Sequence, residues 1–512
     1  MATADKAHDA IDAPDAYRAL LERSEKLTNV RTASMALGWD QRVMMPEGGT
    51  PARAGQLSTL SGLGHELLVD DEIGEWLEEL ASADLTDEQA AVVRELRREY
   101  DRSAEVPSDL VERVAAHQAE TQQVWQEAKA EDDFAHFVPN LEELVALHRE
   151  RAAAIEPDAN PYRVLYEDSL PYLPLETVEG IFDELREGLV PLIETIEAEG
   201  RELPSPFRDP DYTYDEADQM ALSREAVDLL GYPEEHGRLD TAPHPFMSGT
   251  QFDARITTRF REHDPIDALM ATIHEFGHAS YQLGLPKEEY GNPLGASLSS
   301  GVHESQSRFW ENHVGRTRAF WEFFLPTMKA QFPHLEDVTV DEAYAAVNRI
   351  YPENLIRVEA DELTYHLHII LRCEIDRAFV EGDLDVSEIP ETWNAKMDDY
   401  LGVVPDTDTD GCLQDTHWSY NFAAFQGYTV GSVLAAQLDA AIREDLDVDG
   451  LIRDGEFEPL WEWMTEHVHR HGQRYPTEEL IEVATGEPLT AEYFLEYVES
   501  KYGELYHLEG YC

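Results

Sequence analysis

Two histidines stand four residues apart at His274 and His278, with Glu275 directly after the first. Residues four apart share one face of an α-helix, so both imidazoles can reach a single cation, with Glu275 beside the coordination position left open. The chemistry this suits is metal-assisted hydrolysis, in which Glu275 takes a proton from the attacking water. With 20 histidines in 512 residues and abundant glutamate, such a motif arises by accident in roughly one chain in ten. The plain alternative is a surface helix with two solvated histidines, where Gly277 would be an odd, helix-weakening choice. A catalytic ion needs a third protein ligand. His303 and Glu304 both qualify by chemistry, but adjacent helical residues diverge by about 100°, so only one of them can be a primary ligand.

These residues require particular elements to hold them. Asp264 as N-cap, Pro265 in the first helical position, Gly284 as stop signal and Pro286 just beyond delimit a helix that carries the motif. The chain turns at Tyr290 to Gly295, and a helical pattern resumes from about Ser300 to Val314. A helix, a turn and an antiparallel helix would return this segment to the two histidines. Upstream, Phe252, Ala254, Ile256, Thr258 and Phe260 alternate with Asp253, Arg255, Thr257 and Arg259, which predicts a strand over 252–260 that could pair with an extended substrate. Three- and four-residue apolar spacing predicts helices over 16–27, 88–100, 109–129 and 175–199. Breaks fall at 202–214 and 404–411, neither long enough to require a domain linker. The fold class is therefore mainly α, with a small β-sheet beside the site. Two further histidine pairs read as non-ligands: His467 and His471 lack a glutamate in the base position, and His366 and His368 fall on opposite helix faces.

Five motifs, in order, resemble the thermostable, Taq-type metallocarboxypeptidase family: His244-Pro245-Phe246, Asp253 to Thr257, His274 to His278, His303 to Gln306, and Gly411 to Trp418. Trp39-Asp40-Gln41, Met45-Pro46 and Arg53-Ala54 also look like that family, so the likeness covers nearly the whole chain. The resemblance implies a two-lobed helical metallopeptidase with a long deep groove, similar to neurolysin and angiotensin-converting enzyme. On that pattern 1–512 is a single peptidase domain, with about 1–200 covering the groove and 235–430 forming the catalytic core. It also implies one zinc or cobalt ion per chain, a homodimer, and stepwise removal of C-terminal residues from peptides with broad specificity, proline being refused. Carried over, His274, His278 and Glu304 are the metal ligands, Glu275 is the catalytic carboxylate, and His303 is a neighbour of the site. One departure is visible: Ala424 stands where the family has a tyrosine, so polarising the scissile carbonyl falls to Tyr420, Tyr428, His417 or nothing.

An oxyanion needs donors beyond the metal. His417 is the first candidate and His244 the second, the latter placed to contact substrate backbone. Arg255, with Asp253, is expected on the groove wall, bracing it or touching substrate. An exopeptidase also needs a fixed cation for the substrate's free carboxylate, which arginine meets with two parallel hydrogen bonds. Arg357, among apolar neighbours, is the choice; the alternative is a salt bridge to Glu359, Asp361 or an upstream acid. The rival functions are an oligoendopeptidase with the same metal site and a catalytically inactive metal-binding scaffold.

Composition narrows the setting. There are 105 Asp+Glu against 39 Lys+Arg, a formal net charge of −66. That argues against nucleic acid or anionic lipid as partner, because phosphate binding needs clustered cations. The 42% hydrophobic content is enough for a large core. No run of 18 apolar residues and no basic start followed by an apolar stretch is present; the expectation is a soluble cytoplasmic protein without a membrane span. Acid excess with scarce lysine further suggests a cytoplasm of molar salt, where self-repulsion is screened. Three widely spaced cysteines, with no Cys-x-x-Cys pair, exclude a disulfide framework and a cysteine-rich zinc site.

Overall fold

The computed structural model describes residues 13–511; the start of the N-terminal segment read for a signal, and Cys512, lie outside them. The structure is mainly helical with one three-stranded sheet, as the patterning requires. The four predicted helices fall within or closely match Asp15–Val43, Asp87–Ala104, Ser108–Glu131 and Leu175–Glu199. Among the described residues, no helix is long and apolar enough to cross a membrane.

Apolar side chains collect in one large core running from Ala128 to Leu508. A separate small core, with Leu20, Leu77, Val92 and Leu96, joins helices Asp15–Val43, Asp71–Leu80 and Asp87–Ala104 and receives Leu294 from the rest of the chain. Cation–π contacts fasten this N-terminal part to the sheet. The Arg238 and Arg255 guanidiniums lie 5.1 and 4.6 Å from the Trp39 ring, and Arg42 lies 4.5 Å from Phe246.

The sheet has β1 (Leu239–Thr241), β2 (Met247–Gly249) and β3 (Ala254–Thr258) in the order β1-β3-β2. β3 runs parallel to β1, with Ile256 opposite Leu239, and antiparallel to β2, with Ile256 opposite Met247. Two expectations need correcting here. The strand is shorter than 252–260, because Thr250 donates its N–H to the Asp253 carbonyl (2.8 Å) and residues 250–253 form the turn from β2. It is also central, so both its edges are already paired and it cannot accept an extended substrate; only β1 and β2 keep an open edge.

The motif helix is Pro265–Gly284, and the Asp264 carboxylate accepts the Ile266 N–H at 3.1 Å, as the cap reading requires. The returning helix, Ser300–Arg308, passes directly into a π-helical turn, Phe309–Gly315. Gly277 is explained by this crossing: a Cβ there would lie 2.5 Å from the Ser307 Cα and 2.6 Å from the Gln306 carbonyl. Helix Gln426–Asp445 presses on the other side, where a Cβ on Gly431 would lie 2.4 Å from the Glu304 Cβ. Two glycines thus let three helices close around Glu304. His467 ends helix Glu458–His467 and His471 belongs to the separate turn His469–His471, so this pair shares no helix face. His366 and His368 are buried in helix Thr364–Glu381.

Candidate active site

His274, His278 and Glu304 converge. Their ligand atoms all lie within 4.8 Å of one another, the one such cluster among the described residues. The Glu304 Oε2 is 3.8 Å from His274 Nε2 and 3.5 Å from His278 Nε2. Each imidazole turns its other nitrogen to an acceptor: His274 Nδ1 lies 2.9 Å from Glu311 Oε2, and His278 Nδ1 lies 3.1 Å from the His303 carbonyl. Those contacts put the protons on Nδ1 and leave both Nε2 lone pairs facing Glu304. Two neutral imidazoles and a carboxylate make a donor set for a divalent ion such as zinc. The sequence left His303 or Glu304 as third ligand, and it is Glu304 whose carboxylate lies against the two imidazoles. The His303 ring instead stacks on His278 at 4.5 Å, and burial pushes its pKa down to about 3, so it is a neutral neighbour.

Glu275 is 6% exposed, and its Oε2 has no hydrogen-bond partner. Burial raises its pKa, and nearby Glu304 adds to the rise against His274 and His278. An orphaned buried carboxylate oxygen beside a convergent ligand set is expected of a proton acceptor that waits for a water, and it supports the fit of a metal there.

The sequence analysis missed what surrounds the ligands. Glu304, Arg308 and Glu311 stand four and then three residues apart on one helix face, a spacing that could have been read. Arg308 donates from Nε to Glu304 Oε1 at 2.8 Å and lies 3.3 Å from Glu311 Oε2 through Nη1. Arg316 holds Glu311 Oε1 at 2.8 Å. Burial would push both carboxyls up. For Glu304 it is outweighed by Arg308, then by His274 and His278; for Glu311 by Arg316 and Arg308. Both are held well below the usual carboxylate range. Tyr365, also missed, lies under the Arg308 guanidinium at 4.8 Å.

The remaining candidates divide. His244, exposed between β1 and β2, lines a cleft of about 290 Å³ together with His274, Glu275 and Arg357. His417 Nδ1 lies 3.3 Å from Asp415 Oδ1, without the alignment of a hydrogen bond, and its Nε2 lies 3.5 Å from the Tyr428 hydroxyl. Tyr428 stands in the first turn of helix Gln426–Asp445, its ring 6.4 Å from Tyr365. Tyr420 is 38% exposed, its ring 5.7 Å from His417. Arg255 is not among the residues lining the cleft; it is paired with Asp253 at 2.6 Å and stacked on Trp39.

Arg357 does line the cleft, but its partner is none of the acids foreseen. Glu359 pairs with Arg261 at 3.0 Å, and Asp361 accepts the N–H groups that open helix Thr364–Glu381. Arg357 instead donates to both oxygens of Asp415, from Nε at 2.9 Å and Nη2 at 2.7 Å, while Arg372 donates to the same carboxylate at 2.7 Å. Its Nη1 remains beside the Tyr365 hydroxyl at 3.4 Å.

Comparison with known proteins gives the family. The model of the Carboxypeptidase Taq (M32) metallopeptidase family matches residues 19–502. Thermostable carboxypeptidase 1 of Thermus thermophilus is 38% identical over 507 residues, which cover 96% of this chain and 99% of that one. Carboxypeptidase 1 of Bacillus subtilis is 34% identical, covering 94% and 97%. The crystal structure of the M32 carboxypeptidase from Deinococcus radiodurans superposes with a TM-score of 0.93 at 38% identity, over 97% of this chain and all of that one.

Proposed function

The chain belongs to the Carboxypeptidase Taq (M32) metallopeptidase family and is a metallocarboxypeptidase, a peptide hydrolase; from that premise we propose how its own residues divide the work. His274, His278 and Glu304 would hold one divalent ion, zinc or cobalt. When bound, that ion supplies Lewis acidity, polarising a peptide carbonyl and acidifying a water. Glu275 accepts a proton from the water as its oxygen attacks the carbonyl carbon, and returns that proton to the amine nitrogen as the C–N bond breaks. Glu311 and the His303 carbonyl fix the two imidazole tautomers. His417 and Tyr428, which stand together, meet the oxyanion, Asp415 holding His417 in place. His244, at the cleft wall, contacts substrate backbone; Tyr420 lies farther out, and Arg255 braces the sheet against the N-terminal helix. Arg357 offers its remaining Nη1 to the substrate's terminal carboxylate.

The released residues are of broad kind, proline excepted, and the substrates are peptides rather than folded proteins. Residues 235–430 form the catalytic core and about 1–200 cover the groove. The working protein is a cytoplasmic homodimer adapted to high salt. The observation carrying this reading is the convergence of two bare Nε2 atoms and Glu304 Oε2 beside the unpartnered Glu275 Oε2. Peptide digestion followed by mass spectrometry in high salt tests it. A ladder of single C-terminal losses, abolished by chelation and by Glu275→Gln, is expected; internal cuts in a C-terminally amidated peptide would overturn it.

A further inference from the structure

Between His417 and Tyr428 the backbone passes through one strained residue. Ala423 has a φ of +55°, the left-handed region that an alanine avoids because its Cβ crowds the following carbonyl. Three other non-glycine residues among those described share that region, Asp132, Tyr172 and His507. Asp132 and His507 are exposed helix ends, where such a conformation is ordinary, and Tyr172 is half-buried. Ala423 alone of the four is wholly buried. A turn of this kind persists only where its surroundings over-determine it.

The group that does so is a carboxylate on another helix. Asp376, wholly buried in Thr364–Glu381, accepts the Ala423 N–H through Oδ2 at 3.0 Å. Its Oδ1 accepts the Tyr162 hydroxyl at 2.6 Å, and that hydroxyl accepts from Gln426 Nε2 at 2.6 Å. Gln426 opens the helix that carries Tyr428. One side chain therefore holds both the strained turn and, through Tyr162, the helix start beyond it. The geometry it holds is that of the pair facing the cleft: the Phe425 ring lies 4.5 Å from His417, and the Tyr428 hydroxyl lies 3.5 Å from His417 Nε2. Asp376 itself is not among the residues lining the cleft. Without its oxygen the buried Ala423 N–H would lose its acceptor, and the turn would relax and carry Phe425 and Tyr428 away from His417.

We infer that Asp376 is a positioning residue for the hydrolysis, which sets His417 and Tyr428 against the reacting carbonyl by holding Ala423 in its left-handed turn. This rests on the reading above, in which that pair meets the oxyanion. The test uses the metal-loaded full-length enzyme and an N-blocked dipeptide. It compares wild type with Asp376→Ala, Asp376→Asn and the double variant Asp376→Ala/Ala423→Gly, at a temperature where circular dichroism shows all of them folded. Glycine takes up the left-handed turn without strain, so at position 423 it should replace much of what Asp376 does. Losing one oxyanion donor costs about 10²–10³ in kcat. Asp376→Ala should therefore lower kcat at least tenfold, with KM and metal content unchanged. Asp376→Asn can still accept from Ala423 and should keep most of the activity, and Ala423→Gly added to Asp376→Ala should regain at least threefold. A side chain that only fills the core would lower the melting temperature without slowing the folded enzyme, and glycine at 423 would not repair it. A fall in kcat of less than tenfold for Asp376→Ala, Asp376→Asn as slow as Asp376→Ala, or a smaller gain in the double variant overturns the inference. His417→Ala and Tyr428→Phe test the premise in parallel. If neither lowers kcat, the oxyanion reading falls and the inference with it; a loss in either, without one in Asp376→Ala, defeats the inference alone. Should Asp376→Ala not fold, Asp376→Leu, which fills the space but offers no acceptor, decides by the same thresholds.

Discussion

At the scale of single residues, the mechanism proposed above asks some groups to carry charge and one, Glu275, to move a proton. Glu275→Gln keeps the shape of the side chain but cannot accept the proton. Its kcat should fall by roughly 10²–10⁴-fold, with metal content measured by atomic emission unchanged. Equal loss of metal would mean that Glu275 ligates rather than acts as base. Glu311 makes the opposite prediction. It lies 2.9 Å from His274 Nδ1 and orients that imidazole, so Glu311→Gln should weaken metal affinity by about 10–100-fold in chelator competition. His274, Glu275 and His278 were legible as one constellation because helical spacing states their geometry; the choice of Glu304 over His303 was not, and rested on the family resemblance. Glu311 and Arg308 were legible in principle, at seven and four residues from Glu304. The Arg357–Asp415 pair was not: its partners are 58 residues apart, and local pattern says nothing about which distant acid a buried guanidinium will find.

At the scale of elements, the site depends on how closely three helices approach. The motif helix was readable to its caps, since Asp264, Pro265 and Gly284 are local signals. The sheet order was not, because nothing within 252–260 shows that both edges are covered. Gly431→Ala would place a methyl 2.4 Å from the Glu304 Cβ. We expect a loss of about 1–3 kcal/mol from overpacking, read by denaturant melts, together with weaker metal binding as Glu304 is displaced. The helix Thr364–Glu381 carries a pH-dependent element of its own. Asp376 is fully buried, accepting the Tyr162 hydroxyl at 2.6 Å and the Ala423 N–H at 3.0 Å, and burial raises its pKa to about 7 despite those bonds. Because the folded value lies above the unfolded one, near 4, its stabilising contribution is complete below about pH 4 and is lost as pH rises through about 7. Asp376→Asn removes that loss. Tyr162, which also lies 3.1 Å from the Cys373 carbonyl, can turn its hydroxyl there and accept from the new amide. The variant should match wild type near pH 4 and melt higher above pH 7; parallel melting curves across that range would refute the assignment.

At the scale of the whole molecule, charge sets the conditions under which the smaller scales operate. A formal charge of −66 spread over one chain repels itself, while the pairs inside the site are buried and nearly indifferent to bulk salt. Stability and substrate capture should therefore respond to salt in a manner the metal site does not. Raising potassium chloride from about 0.1 to 1 M shortens the Debye length from roughly 10 to 3 Å, so the melting temperature should rise steeply over that range and then flatten if screening is the cause. Continued rise beyond it, stronger in sulfate than in chloride, would point to surface exclusion of the salt instead. KM for a peptide with a free carboxylate should fall over the same interval, because the repelling field is screened while the local arginine contact is not. Metal affinity should stay level throughout. A KM that climbs with salt would show that long-range attraction, rather than a short-range contact in a hostile field, brings the substrate in.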